Sequence, residues 1–289
     1  NLTTASEICQ VWDVTDIYNV SKYDNATGAN FSFKINLGTA RKYVAVDLSD
    51  VFSPSKESSS TVVNQNIKGT IFKDASGNFQ DIDYLIFTPQ FLVSQAETLA
   101  NFHRTNSGMS VRVVPLESLY QEFSSGKQDV GAIRNLVKYV YWNASSPDKR
   151  VKYVNLFGDA SYDYKNRIPN NNNIVPVFHG FNPLASETNN TTNFSLYSSF
   201  MSDDFYGMMD DGEGPMTTGF DGIDVAVGRM LVTTTSQAQE MVNKVIEYHD
   251  EKSYGRWRNN YVIYSDDADD VNDSRLQFDL DGLADVLTA

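Results

Sequence analysis

The sequence predicts an α/β chain: an all-β N-terminal domain, residues 1–78, followed by an incomplete doubly wound, mostly parallel sheet with helices on both faces, residues 79–289. Three observations carry this. Short runs rich in β-branched and aromatic residues fill the first part without helical periodicity. From about residue 80 the pattern changes to strand, helix, strand. Two of the later apolar runs break into acidic loops, as strands of an open α/β sheet do where ligands collect.

In the first part, Val11–Val14, Asn30–Ile35, Lys42–Val46 and Gly69–Phe72 read as strands. The polar stretches Asn25–Gly28 and Ser53–Ser60 between them favour turns. The second part opens with Tyr84–Thr88 as a buried strand. A helix over Ser94–Arg104 follows, with Ala96, Leu99, Ala100 and His103 at helical spacing, and Val111–Val114 returns as a parallel strand through a right-handed crossover. Asp129 caps a helix whose stripe is Ile133, Leu136, Val137, Val140 and Tyr141, leading into the strand Val151–Gly158. Asp224–Arg229 is a further strand. Ser236, with Gln239 at capping-box distance, opens a helix that buries Ala238, Met241, Val242, Val245 and Ile246, and Tyr261–Tyr264 completes about five strands. Residues 167–222 interrupt this alternation as a long polar insertion of the kind that is functional or disordered. Its Asn-x-Ser/Thr triplets carry no weight.

Composition narrows the function. A formal charge of −14 and a pI near 4.5, with no basic stripe, exclude a nucleic-acid partner. No window reaches the length of a bilayer span and no signal peptide is evident. Because the first residue is Asn1, the chain is expected to be an internal piece of a longer protein. Cys9, the one cysteine, excludes an internal disulfide and multi-cysteine zinc sites, and reads as a structural or incidental thiol. Among three histidines, His103, His179 and His249, only His179 lies on a loop near the suspected site, where a surface or capping role is the favoured reading.

The candidate chemistry is carboxylate chemistry. Val151–Gly158 hands over to Asp159 and Asp163, and Tyr261–Tyr264 to Asp266 and Asp267, so two strands aim acids at a common edge. Asp203 and Asp204, Asp210–Glu213 and Asp266–Asp270 each gather oxygens of the kind calcium favours, although none matches the twelve-residue calcium loop. The metal stays unassigned, and solvated acidic loops are the alternative. No nucleophile elbow or phosphate-binding loop occurs.

Tyr84–Pro89 with Phe91–Leu92, Glu122–Asp129 with Ala132–Arg134, Leu156–Asn166, Ser202–Gly207 and Val227–Arg229 occur in an order that resembles the gingipain-type cysteine peptidases, and among these the sortases of the type IX secretion system of Bacteroidetes. The likeness reaches back through Val11–Asp16. It implies a caspase/gingipain-like fold and a cysteine nucleophile working with a histidine in Gly-His-Gly. An acid at a strand end orients that histidine, and Asp267 takes this place, with Asp266 one step away. The 289 residues hold no Gly-His-Gly and no cysteine after Cys9, so both partners are expected beyond Ala289 and the piece is expected to be inert alone. Asp159, Asp163, Asp203 and Asp204 are candidates for substrate-site loops.

The resemblance further implies a protein secreted to the cell surface and associated with the outer membrane. Its implied partners are exported proteins with C-terminal sorting domains, outer-membrane secretion partners and a surface polysaccharide acceptor. No cofactor is required, and calcium would be structural. The competing reading is a non-catalytic, calcium-stabilised binding or assembly module of an outer-membrane secretion complex. A metal-dependent hydrolase built on the acidic clusters is a distant third. Incomplete strands and an unpartnered helix face predict dimerisation, swapping or poor solubility for the isolated piece.

Overall fold

The computed structural model describes residues 1–35, 38–47, 49, 53, 55, 64–181, 199–214, 216, 222–264 and 275–288. Contacts divide the chain into two compact units, Asn1–Val63 and Asn64–Ala289.

In the first unit β1 (Leu2–Thr3) pairs with β4 (Asn30–Phe31), and β2 (Ile8–Asp13) lies between β3 (Ser21–Asp24) and β5 (Tyr43–Asp47), all antiparallel. These strands are the β-branched and aromatic runs, and their inward residues Val11 and Phe31 bury with Ala5 against Tyr23, Phe33 and Tyr43. The Phe33 ring lies 4.8 Å from Tyr23 and 5.4 Å from Tyr43. The Asn25 amide reaches the carbonyls of Ala5, Ile8 and Gly28 at 2.8–3.1 Å and closes the turn in which Gly28 takes φ +78°.

Buried Asp13 accepts from Arg41 at 2.6 Å. Hydrogen bonds from Thr15 and Arg41 hold its carboxyl below the usual carboxylate range. A depressed folded value contributes stability above the unfolded carboxylate value near ~4, and that contribution is lost as pH falls through the folded value. Hydrogen-exchange protection of the β2 amides should therefore drop below about pH 4. Asp13→Asn should show the lowered protection already at pH 7, and an unchanged acid profile in that variant would refute the assignment.

The second unit is built on four parallel strands in the order β11 (Ala226–Met230), β8 (Tyr153–Phe157), β6 (Tyr84–Thr88) and β7 (Val111–Pro115). Between β6 and β7 runs α2 (Val93–Asn106). Between β7 and β8 run α3 (Leu116–Phe123) and α4 (Val130–Trp142), and α5 (Thr235–His249) follows β11. Strand alternation sends Leu85, Phe87, Val154 and Leu156 into one core with Leu119, Ile133, Leu136, Val137 and Val140 of α3 and α4. It sends Ile86, Val111, Val113 and Phe157 into another with Ala96, Leu99, Ala238 and Val242 of α2 and α5. Helices thus cover both faces, as the runs predicted. Among the described residues no helix is long and apolar enough to cross a membrane.

Several local expectations are corrected. Tyr261–Tyr264 is not a strand: it has no ladder partner among the described residues, and Tyr261, Val262 and Tyr264 are 78%, 72% and 87% exposed. β-propensity there reflects side chains suited to a pleated surface, and without a facing strand or helix nothing rewards the pairing. The sheet therefore has four strands among the described residues. Gly69–Phe72 is not a strand either. Asn66 caps α1 (Ile67–Thr70) by accepting from Gly69 N at 3.0 Å, Glu122 accepts from Ile67 N at 2.6 Å, and Ile67 and Phe72 enter the core of the second unit. The cap of α5 is Thr234 rather than Ser236, accepting from Gln237 N at 3.2 Å, while the Gln237 side chain accepts from Thr233 N at 2.8 Å. Helix α3 was not anticipated, although Leu116, Leu119 and Tyr120 carry its stripe. The polar insertion holds an antiparallel hairpin, β9 (Phe178–Phe181) with β10 (Ser199–Ser202), and buries Tyr206, Met208 and Met209. The last helix, α6 (Arg275–Thr288), leaves Phe278 and Val286 exposed.

Candidate functional site at the carboxyl ends of the strands

Three chain segments meet where β8 and β11 end. Gly158 follows β8 and donates to Met230 O at 3.1 Å. A Cβ on Gly158 would stand 2.6 Å from Val175 and 2.8 Å from Ile174, so only glycine admits this approach. Asp159 O accepts from Ile174 N at 3.0 Å and Val175 N at 2.9 Å, which folds the loop after β8 back over the strand end.

Arg229 fastens the edge. It enters from β11 with its side chain 8% exposed and directs Nε and Nη2 at both oxygens of Asp203, at 2.7 and 2.6 Å. Nη1 donates to Gly158 O at 2.9 Å and Val175 O at 2.7 Å, and Nη2 also to Pro176 O at 3.1 Å. A guanidinium suits this place because its fixed fork satisfies several acceptors at once. Beneath it, the Tyr206 hydroxyl donates to Pro176 O at 2.6 Å, and burial pushes that phenol far up. Tyr206→Phe should cost about 1 kcal/mol in urea unfolding with an unchanged slope, since Pro176 O keeps its Arg229 donor. A loss above about 3 kcal/mol would mean that the ring had moved.

The candidate carboxylates fall into different roles. Asp203 is consumed by Arg229, and its side chain is 24% exposed. Asp163 is buried and closes its own loop: Oδ2 accepts from Arg167 N and, at 2.6 Å, from Ile168 N, while its carbonyl accepts from Asn171 at 2.7 Å. The Asp159 carboxylate accepts, among the described residues, from the following Ala160 N at 2.9 Å, and Asp159 lines a shallow hollow that Arg229 also lines. Asp204 is exposed at the start of a short 3-10 turn. Asp266 and Asp267 lie outside the described residues. Of the four, Asp203 alone is held by Arg229, whereas Asp159 and Asp163 bond within their own loops and Asp204 is exposed.

In the acidic loop 210–213, Asp211 pairs with Lys138 at 3.0 Å and Glu213 accepts from Asp210 N and Gly222 N. Among the described residues no group of three His, Cys, Asp or Glu side chains could hold a metal ion. Cys9 donates its thiol to Val46 O at 3.1 Å between β2 and β5.

Sequence reasoning missed the role of Arg229, whose signal was a charge at the end of the apolar run Val225–Gly228. It also missed a cleft of about 660 Å³ at the same end of the sheet, where α4 begins. Tyr162, Tyr164, Asn173, Phe178, His179 and Phe200 line it, and the atoms His179 Nε2 and Asn173 Oδ1, closed to solvent, have no hydrogen-bond partner among the described residues.

None of the curated proteins matches the chain. Among solved structures, the chain is similar to the crystal structure of dimeric latent PorU from Porphyromonas gingivalis. The identity is 28% and the TM-score 0.56, with 77% of this chain and 20% of that one covered. The chain therefore spans about a fifth of the length of that relative. Residues 78–289, well over half of the sequence, match the profile of Peptidase family C25, which agrees with the motif order from Tyr84 to Arg229 and with the helix-flanked parallel sheet. The chain belongs to Peptidase family C25, the gingipain family of cysteine peptidases.

Proposed function

We propose that this chain is part of a cell-surface sortase, a cysteine endopeptidase and transpeptidase of a type IX secretion system. It would remove the C-terminal sorting domain of exported cargo and pass the cargo to an acceptor such as a surface polysaccharide. The observation that carries this reading is the family likeness along residues 78–289, on a sheet whose carboxyl ends are fastened into one edge by Arg229. In this reading a cysteine thiolate attacks the scissile carbonyl, the C–N bond breaks, and the leaving amine takes its proton from the catalytic histidine. An acceptor nucleophile then attacks the thioester, loses its proton to the histidine and releases the thiolate.

The 289 residues contribute the edge that positions substrate, and Asp267 as the group that orients the histidine. Cys9 is not the nucleophile, because its thiol is committed to a carbonyl between two strands. Cysteine and histidine come from the rest of the parent protein, which is placed at the cell surface in association with the outer membrane.

The test is to incubate the parent protein with an exported substrate bearing its sorting domain and to follow both products by mass spectrometry. Iodoacetamide should abolish cleavage and transfer, a chelator should not, and the 289-residue chain alone should turn nothing over. Cleavage that survives alkylation but stops with chelator would overturn the reading in favour of a metal-dependent hydrolase.

A further inference from the structure

The two edges of the four-stranded sheet are finished differently. At β7, Val111 O accepts from Arg104 Nε and Nη2 at 3.1 and 2.8 Å and from Arg112 Nη1 at 3.1 Å, and the strand ends at Pro115, which has no N–H. Charges and proline of this kind stop a further strand from adding. The outer side of β11 has neither. Ala226 N donates to Lys152 O at 3.0 Å and Met230 O accepts from Gly158 N at 3.1 Å, so these residues turn their backbone toward β8. In a parallel ladder the alternate residues, Val227, Arg229 and Leu231, then point N–H and C=O away from it. Gly207 O closes the edge as far as Val225, accepting its N–H at 3.1 Å. Beyond that point nothing among the described residues bonds to the backbone of Val227, Arg229 or Leu231, and Gly228 and Leu231 are exposed.

On the face that carries α2 and α5, the same edge opens on a hollow of about 390 Å³, whose lining includes Tyr84, Met109, Tyr153, Asn155, Ala226 and Gly228. A Cβ on Gly228 would meet nothing within 4 Å, and Tyr153 beside it in the sheet is 42% exposed. A bare glycine near a sheet edge leaves its neighbours' apolar surface uncovered, and a large side chain on an adjoining strand covers it.

Three kinds of segment fit an open edge, and geometry disfavours two. The chain's own Tyr261–Tyr264 follows α5, which shares a face with α2. The right-handed crossover β6–α2–β7 steps toward β7, so a step through α5 past β11 would be left-handed, which almost never occurs. A second copy pairing about a two-fold axis would set Arg229 opposite Arg229, and three residues of edge fall far short of the roughly 1,200 Å² of a stable interface. An extended segment of another polypeptide remains, and the formal charge of −14 favours one without acids.

We infer that the outer edge of β11, from Val227 to Leu231, adds an extended segment of a separate polypeptide as a further strand, with a large apolar side chain of that segment seated over Gly228 in the hollow. Backbone bonds supply the affinity and the hollow selects the side chain. That the segment belongs to exported cargo rests on the function proposed above; the strand addition rests on the edge and the hollow alone.

The experiment uses the 289-residue chain and the peptide Ac-Lys-Thr-Val-Thr-Phe-Thr-Val-Thr-Lys-NH2, with amide exchange followed by NMR. In the free chain the amides of Val227, Arg229 and Leu231 should exchange quickly and those of Gly228 and Met230 slowly, and saturating peptide should slow the first set at least tenfold. N-methylation of one alternate set of peptide residues should weaken binding at least tenfold and methylation of the other set should not, because a strand turns only every second N–H to its neighbour. Replacing the peptide's phenylalanine by alanine should cost about tenfold, the scale of one large buried side chain. Gly228→Leu, shown folded by circular dichroism, fills the hollow and should erase that difference. Equal effects of the two methylated peptides, or no protection at Val227, Arg229 and Leu231, would overturn the inference. So would protection of these amides before peptide is added, which sedimentation would assign to Tyr261–Tyr264 in a monomer or to a second copy in a dimer. None of these readouts depends on peptidase activity, so failure here leaves the alkylation test untouched, and the converse holds.

Discussion

Replacing Arg229 by alanine is expected to destabilise the Asn64–Ala289 unit by about 3 kcal/mol, the order found when one partner of a largely buried ion pair is deleted. The loss has two parts. The Asp203 carboxylate loses both of its guanidinium bonds, and the carbonyls of Gly158, Val175 and Pro176 lose donors at 2.7–3.1 Å. Water reaching Asp203, whose side chain is 24% exposed, recovers part of the first; Gly158 and Val175, which carry two of the carbonyls, are buried. In a unit of this size the melting temperature should fall by roughly 6–12 °C.

Arg229→Lys should recover less than half of the loss, because one ammonium cannot reach both carboxylate oxygens and three carbonyls from separate segments. Asp203→Asn should cost less than Arg229→Ala, since the carbonyl bonds remain. Urea unfolding of the three variants ranks them. An Arg229→Ala variant within 1 kcal/mol of the parent would show that the edge is held by apolar packing instead.

The second large effect concerns the proposed enzyme. Asp267→Asn in the parent protein should lower kcat by about 10²-fold or more, approaching 10⁴-fold, because an amide in place of the orienting carboxylate leaves a catalytic imidazole in the wrong tautomer and without a partner for its positive charge. Asp266→Asn should change kcat by no more than a few-fold, since the family likeness gives the orienting place to Asp267. KM should stay within a few-fold in both, because neither group is proposed to bind substrate. Equal losses at both positions would refute the assignment, and reversed losses would transfer the role to Asp266.

Much of the fold was legible because its signals are local. Tyr84–Thr88 reads as a strand within five residues. The Ile133, Leu136, Val137, Val140 stripe reads as a helix within eight, and Asp129 announces where that helix starts. The corrections share one physical cause. Tyr261–Tyr264 and Gly69–Phe72 have strand-like composition, yet a strand exists only if another chain segment supplies its ladder and covers its apolar side. For the first, no such segment stands beside it among the described residues. For the second, Asn66 and Glu122 offer the backbone a helical turn instead.

The site divides in the same way. That acids gather after β8 could be read directly from Asp159 to Asp163, as could the family likeness carried by the motif order. Which acids remain free could not. Asp203 is neutralised by an arginine 26 residues away, and that arginine also binds carbonyls 71, 54 and 53 residues distant. The His179 cleft arises from a hairpin, a loop and a helix start that are neighbours only in space. The sequence by itself determined the four strands β6, β7, β8 and β11, the helices α2, α4 and α5, their order and the family, since periodicity, capping and motifs act over a few residues. The tertiary structure alone decided which charges are paired, which polar atoms are stranded and where a hollow opens, since these depend on contacts between segments that no sequence window contains.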